Sequence, residues 1–226
     1  MRTFGRREKL FELQKAWAVA LSGRPRVALV EGPAGVGKSH LLDAFLTDIR
    51  ERRSTERTPL VGRGICSERD GWSVPMHPFW EALGAALNDW GSRESTLDFE
   101  QFELVGRIAS QLPGALSPEL APKLARVVAG RHLGTQLPVD RLVEHTELLA
   151  RNALLELSVE HPVCLVIDDV EVADDETLSL LRNLVRPLWE GEPNSNLLIV
   201  LSYDEDEAGR RGQIDQLKSD LARHDR

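Results

Sequence analysis

The sequence has little cysteine and no long apolar run: 226 residues include two cysteines and a single tyrosine. No apolar stretch approaches the roughly 20 residues that a membrane-spanning helix needs, so we expect no membrane attachment. Cys66 and Cys164 lie beside apolar runs, with no His or Cys at metal-ligand spacing nearby, which argues against a zinc site. We therefore expect buried free thiols in a reducing, cytoplasmic location.

Positive charge is also scarce, because 28 Lys and Arg residues face 36 Asp and Glu residues, for a formal net charge of −8. Proteins that coat nucleic acids need clustered Lys and Arg, so we expect no direct nucleic-acid binding by this segment. A basic cluster at residues 50–57 is interpreted as a solvated helix end, with a small binding patch as the alternative. Residues 1–7 are charged but have no apolar core, which argues against a secretory signal.

Apolar runs rich in β-branched residues alternate with helical stripes along the chain. Strands are predicted at residues 26–30, 60–66, 163–167 and 197–201. Helices are predicted at residues 8–21, 40–53, 79–90, 99–112, 141–159, 177–189 and 213–222. This alternation predicts an α/β fold, a parallel, doubly wound sheet flanked by helices. The long segment between the second and third strands is interpreted as a helical insert on the sheet and not as a separate domain.

A glycine-rich motif follows the first predicted strand and leads into a helix. It matches G-x-x-x-x-G-K-[ST] and consists of Gly32, Pro33, Ala34, Gly35, Val36, Gly37, Lys38 and Ser39. Glycines let backbone N–H groups turn toward phosphates, and the positive end of the following helix points to the same place. Lys38 is expected to contact the β- and γ-phosphates, and Ser39 to give a hydroxyl to Mg²⁺. The motif, with His40 after it, predicts a P-loop that binds ATP or a close purine nucleotide triphosphate with Mg²⁺.

The third predicted strand ends in two carboxylates, Asp168 and Asp169. Ligands of open α/β folds bind at this carboxyl edge of the sheet. Asp168 is predicted to hold Mg²⁺ through water, and Asp169 to orient or deprotonate the attacking water, so that Asp169 and Lys38 are the predicted catalytic residues. Asp174 is expected to cap the next helix. Glu171 is either a surface residue or a support for the site.

Several motifs together resemble the signal-transducing ATPases with numerous domains, a branch of the AAA+ class. The resemblance covers nearly the whole chain and rests on Phe4-Gly5-Arg6, the P-loop, residues 64–68 (GICSE) and residues 168–178. It implies a slow, ATP-gated switch in a multidomain bacterial regulator that exchanges ATP and ADP. It also implies C-terminal effector or sensor domains and homo-oligomerisation on activation. Arg6 is counted among the nucleotide-binding residues.

The same resemblance implies a sheet of five core strands in the order 5-1-4-3-2, followed by a helical lid. Four strands are predicted here, so the fifth core strand and the lid are expected to be missing and the chain to be a fragment of a longer protein. We treat residues 1–226 as a single ATPase core. Its parts are an N-terminal helix with the Gly-Arg motif (1–24), a P-loop unit (25–66), the helical insert (67–161) and a Walker B and strand-four unit (162–226).

The sequence departs from the family pattern at three positions. Arg7 stands where Glu usually follows the opening Gly-Arg, Glu171 where His is common, and Asp204 where Arg commonly follows the fourth strand. Asp204 either repels the phosphates or belongs to an exposed acidic run at residues 204–207. Ser202, at the tip of the same strand, either senses the γ-phosphate and so counts as a nucleotide-binding residue, or is an ordinary strand-end residue.

Three functions are compatible with these motifs. The first is a regulatory ATPase switch, and the second is an ATP-driven machine that remodels DNA or protein. The third is a scaffold that keeps ATP as a structural ligand without hydrolysing it. Asp204 favours the scaffold, whereas a remodelling machine needs an arginine finger and a ring-forming surface, neither of which the sequence identifies.

Overall fold

The computed structural model describes residues 7–52, 57–67, 76–93, 154–155, 157–189, 195–206 and 211–224. Four strands form one sheet: β1 (Arg26–Glu31), β2 (Leu60–Ile65), β3 (Val163–Asp168) and β4 (Leu197–Tyr203). Each neighbouring pair is parallel, and the order across the sheet is β1-β4-β3-β2. The predicted parallel sheet is therefore confirmed, and its order agrees with the one that the family resemblance implied for these four strands.

Among the described residues, five long helices flank the sheet, and residues 154–155 and 157–160 are also helical. The long helices are α1 (Arg7–Ala20), α2 (Lys38–Glu51), α3 (His77–Arg93), α4 (Asp175–Trp189) and α5 (Arg211–His224). Each confirms a predicted helix, with ends shifted by a few residues. The predicted helix at residues 99–112 lies outside the described residues, as do most of the helix at 141–159 and most of the insert.

Alternating side chains of the sheet contribute to two separate hydrophobic cores. On one face, α1 and α2 share a core with Val61, Val166 and Val200. On the other face, α3, α4 and α5 share a core with Leu165 and Ile199. β3 and β4 are buried along their whole length, as expected for central strands covered on both faces, and the sheet is doubly wound as predicted.

Two glycines bring β2 into close contact with α3. A Cβ atom on Gly62 would lie 1.8 Å from the carbonyl oxygen of Ala82, and one on Gly64 would lie 1.8 Å from that of Pro78. Both obstacles are backbone atoms of the helix, which cannot rotate away as a side chain can. Because side chains alternate along a strand, Arg63 between the two glycines points to the opposite face, where α2 lies.

Gly64→Ala should destabilise the protein by about 3 kcal/mol, because the new methyl group forces β2 and α3 apart. Urea unfolding measures this change in the free energy of unfolding. The matched control is Gly212→Ala in α5, where no atom lies within 4 Å of an added Cβ. That variant should be as stable as the original protein or slightly more stable, since alanine is the better helix former. Equal losses at the two positions would contradict the close packing of β2 on α3.

The two cysteines are buried, and two arginines of the basic cluster at residues 50–57 form ion pairs within the protein. Cys66 and Cys164 are buried free thiols, as predicted, and burial raises the pKa of both. Arg50 and Arg52 contact acidic side chains of the protein itself, which supports the interpretation of the cluster as a helix end. No helix in the described part of the chain has the length and apolar character needed to cross a membrane.

Candidate nucleotide-binding site

The P-loop connects the end of β1 to the start of α2. Gly35 and Gly37 have φ angles of 73° and 89°, which residues with a side chain rarely adopt. The N–H of Val36 donates to the carbonyl oxygen of Pro33 at 3.2 Å and closes a turn within the loop. Since α2 begins at Lys38, the N-terminus of a helix lies directly at the loop, an arrangement that binds phosphate groups.

Lys38 is held against the loop by its own backbone. Its side chain is buried, and the ammonium Nζ donates to the carbonyl oxygens of Gly32 at 2.7 Å and Pro33 at 3.4 Å. The positive charge is therefore fixed at the loop, as its predicted contact with phosphates requires. His40 is half-buried on α2, two residues further along.

Asp168 at the end of β3 connects three other elements. It is fully buried, and its Oδ2 oxygen accepts hydrogen bonds from Ser39 Oγ at 3.0 Å and from the guanidinium of Arg63. Its Oδ1 oxygen accepts a hydrogen bond from Ser202 Oγ. The structure thus brings together Ser39 and Asp168, the two residues predicted to hold Mg²⁺, and places Ser202 beside them.

Asp169 follows in a left-handed backbone conformation, with φ 57° and ψ 50°, and precedes a 3-10 turn at Val170–Val172. Its N–H donates to Ser202 Oγ at 3.2 Å, so Ser202 contacts both consecutive aspartates. Burial raises the pKa of the Asp169 carboxyl, and the charge of Asp168 raises it further, while Lys38 and Arg63 act in the opposite direction. A carboxylate with a raised pKa is a better general base than an ordinary one.

Arg63 is a site residue that the sequence pattern did not single out. Besides Asp168 it contacts Asp43, with Nη1 donating to Oδ1 at 2.5 Å. Asp43 stands four residues after Ser39 on α2 and therefore on the same face of that helix. Burial opposes the charge of Arg63, but the two carboxylates outweigh it and raise the pKa of the guanidinium. The available signal was a cation in a short predicted strand, two residues after Val61 and therefore on the same face of the strand.

The remaining acidic residues have different surroundings. Asp174 caps α4 as predicted, because its carboxylate accepts the N–H of Thr177 at 2.6 Å and the hydroxyl of the same residue at 2.9 Å. Glu171 is half-buried, and burial raises the pKa of its carboxyl.

Asp204 is buried, so the alternative in which it points to solvent as part of an exposed acidic run is wrong. Its carboxylate is used locally, accepting the N–H of Asp206 at 2.9 Å in a turn that follows β4. Its charge nevertheless contributes to the raised pKa of Asp169, which places it within electrostatic reach of the candidate site.

A pocket of about 560 Å³ lies beside the P-loop, along β1. Residues of α1, β1, the loop and α2 line it, among them Leu13, Val30, Val36 and Lys38. Its volume falls within the usual range of small-molecule sites. Arg6, the predicted nucleotide contact that precedes α1, lies outside the described residues.

The parallel sheet, the glycine loop at the start of α2 and the carboxylates at the end of β3 define a P-loop NTPase fold. A family model described as the AAA ATPase domain matches residues 2–200, and the chain therefore belongs to the AAA ATPase domain family. Nucleotide binding follows from that membership.

Other comparisons add little to this assignment. No curated protein matches the chain. One similar solved structure is described as two coordinating Pif1 helicases that unwind forked double-stranded DNA, with 14% identity and a TM-score of 0.34. The similarity covers 95% of this chain and 38% of the other, so the chain spans well under half of that helicase. At this level the match bears on neither substrate nor mechanism.

Proposed function

We propose that this protein is an ATP-binding, slowly hydrolysing switch module of a signalling or transcriptional regulator. The observation that supports the proposal most is the 3.0 Å hydrogen bond from Ser39 of the P-loop to Asp168 of β3. It joins the hydroxyl and the carboxylate that P-loop NTPases use to hold a metal ion on the nucleotide.

The oxygen atoms at this point fit Mg²⁺. This ion prefers oxygen ligands and is usually held by one or two carboxylates together with substrate phosphates and water. Ser39 and Asp168 supply such oxygens, and the described residues contain no cluster of three or more His, Cys, Asp or Glu side chains that could hold a metal by themselves. When bound, the ion neutralises charge on the phosphates. Lys38 adds a second positive charge from the loop side.

The two aspartates are proposed to have different roles. Asp168 belongs to the metal shell, whereas Asp169 orients or deprotonates the attacking water, a role that its raised pKa suits. Ser202 donates to Asp168 and accepts from the Asp169 N–H, so its contacts support positioning of the carboxylates over direct sensing of the γ-phosphate.

The pocket along β1 is proposed to take the base and ribose of the nucleotide. Apolar residues such as Leu13 and Val30 line it, and Lys38 lies where the pocket meets the loop. The proposed contact of Arg6 with the nucleotide belongs to the same region, because α1 begins at the next residue and lines this pocket.

Ser39→Ala tests the metal-binding part of the proposal. The affinity for ATP in EDTA should stay the same, while the gain in affinity that Mg²⁺ provides should fall about 10- to 100-fold, as is usual when a metal site loses a supporting group. Isothermal titration calorimetry with and without Mg²⁺ measures both quantities. Ser22→Ala is the matched control, because its hydroxyl donates to Val19 at the exposed end of α1. A full Mg²⁺ effect in Ser39→Ala would contradict the assignment.

The scaffold that keeps ATP without hydrolysis is the second candidate, favoured by the buried charge of Asp204 near Asp169. Phosphate release over multiple turnovers separates it from the switch. A remodelling machine would instead show turnover stimulated by DNA or by a protein substrate. Effector or sensor domains and nucleotide-dependent homo-oligomerisation are part of the switch proposal, and the oligomeric state with ATP and with ADP tests the latter.

A further inference from the structure

We propose that Arg63 is the counter-ion of Asp168 and competes with Mg²⁺ for its Oδ2 oxygen, so that Arg63 sets the Mg²⁺ concentration needed for tight nucleotide binding. The proposal rests on the function proposed above, since it requires Ser39 and Asp168 to be the metal-binding pair. It adds a control on metal occupancy that the P-loop and the two aspartates do not provide.

Asp168 carries a charge that needs compensation. This side chain is fully buried, and a buried carboxylate is costly unless a positive charge and hydrogen bonds compensate it. In the part of the chain that the structure describes, the cation hydrogen-bonded to Asp168 is Arg63. Lys38 donates to loop carbonyl oxygens instead. Arg63 therefore supplies the positive charge that compensates the buried carboxylate of Asp168.

Arg63 contacts the Asp168 oxygen that also contacts the P-loop. Ser202 occupies Oδ1 of Asp168, while Arg63 and Ser39 share Oδ2. Oδ2 is thus the Asp168 oxygen that contacts Ser39, the other predicted metal ligand. A guanidinium at that oxygen repels a divalent cation and takes up the lone pairs that the metal shell would use.

Arg63 also has a second carboxylate partner, Asp43. Asp43 lies at the protein surface, with 62% of its side chain exposed against 19% for Arg63. When Asp168 turns to the metal shell, Arg63 can keep its ion pair with Asp43 and stay charged. Gly62 and Gly64 fix the backbone of β2 against α3, so the exchange requires movement of side chains and not of the β2 backbone.

The test measures the binding of a non-hydrolysable ATP analogue by calorimetry at a series of Mg²⁺ concentrations, with EDTA as the metal-free reference. Arg63→Gln should lower the Mg²⁺ concentration at half-maximal effect about tenfold, the scale on which neighbours of metal ligands act. Binding in EDTA should change little, and the nucleotide-free protein should melt at a lower temperature. Arg50→Gln is the charge-matched control on α2, since Arg50 pairs with Asp89, and it should leave the Mg²⁺ midpoint unchanged.

Asp43→Asn should raise the Mg²⁺ concentration at half-maximal effect (the Mg²⁺ midpoint), because Arg63 then has Asp168 as its remaining carboxylate. In the double variant with Arg63→Gln, the midpoint should equal that of Arg63→Gln alone. Additive shifts would mean that the two charges act independently through space, which overturns the proposal. If Arg63→Gln does not fold, Arg63→Lys replaces it in the test. Lysine keeps the charge but has no planar fork with which to contact both carboxylates. The Mg²⁺ midpoint of Arg63→Lys should therefore fall, by a smaller factor than that expected for Arg63→Gln.

Failure of this proposal and failure of the proposed function give different results. No nucleotide binding by the unaltered protein at any Mg²⁺ concentration overturns both. Nucleotide binding by the unaltered protein, combined with an unchanged or higher Mg²⁺ midpoint in Arg63→Gln, overturns the role of Arg63 alone.

Discussion

Lys38→Ala should remove at least half, and up to nearly all, of the stabilisation that ATP gives to this protein. The variant loses a charge-assisted contact worth about 1.5–3 kcal/mol, which corresponds to a loss of about 10- to 150-fold in affinity. A ligand at 100 times its Kd stabilises the folded state by about 2.7 kcal/mol, and a 100-fold weaker one at the same concentration by about 0.4 kcal/mol. Thermal unfolding with and without ATP measures the difference within each variant.

The comparison with and without ATP is needed because Lys38 also has a structural role. Its ammonium donates to two carbonyl oxygens of the loop, so the substitution changes the nucleotide-free protein as well. Lys15→Ala is the matched control: this exposed lysine lies on α1, over the ring of Phe11 at 4.6 Å. It should keep the full effect of ATP. Unchanged ATP affinity in Lys38→Ala would refute the P-loop assignment.

Asp169→Asn should leave Mg²⁺-dependent ATP binding largely intact and slow hydrolysis about 10²- to 10⁴-fold, the usual contribution of a general base. The amide has nearly the same shape as the carboxylate but cannot take up a proton from water. Asparagine also tolerates the left-handed backbone found at this position, with φ 57°, so the N–H contact with Ser202 should persist. Phosphate release in a single turnover, with the protein in excess over ATP, isolates the hydrolytic step from nucleotide exchange.

Asp168→Asn is the paired variant, because it makes the same chemical change one residue earlier. An amide cannot accept all the hydrogen bonds that the carboxylate takes from Ser39, Arg63 and Ser202. We expect weaker dependence on Mg²⁺ and lower stability. Identical behaviour of the two variants would show that the proposed division of roles is wrong.

The parts of the fold that local sequence patterns determine were predictable. β3 and β4 are apolar throughout because both faces are covered, and such runs stand out in the sequence. The P-loop and the cap at Asp174 depend on residues that are close together in the chain. Ser39 and Asp168 are far apart in the chain, but each belongs to a local motif, so they could be assigned as partners once both motifs had been found.

The parts that depend on register could not be predicted. Arg63 lies opposite Val166, and Ile65 lies opposite Asp168, but this pairing joins strands separated by the long insert. A single arginine between two glycines otherwise looks like a solvent-facing residue. The burial of Asp204 could not be predicted either, because this residue begins an acidic run that resembles exposed surface. In the structure its side chain is buried and accepts a hydrogen bond from the N–H of Asp206.

The pairing of β1 with β4 also determines when the P-loop becomes competent during synthesis. The loop is completed at Ser39, early in the chain, yet Arg26 pairs with Leu198 and Glu31 with Tyr203. In the described residues, β1 has no other strand beside it. Contacts between such distant segments form slowly, because a long loop must close first. A nascent chain on the ribosome therefore carries the P-loop sequence long before it has the strand that pairs with β1.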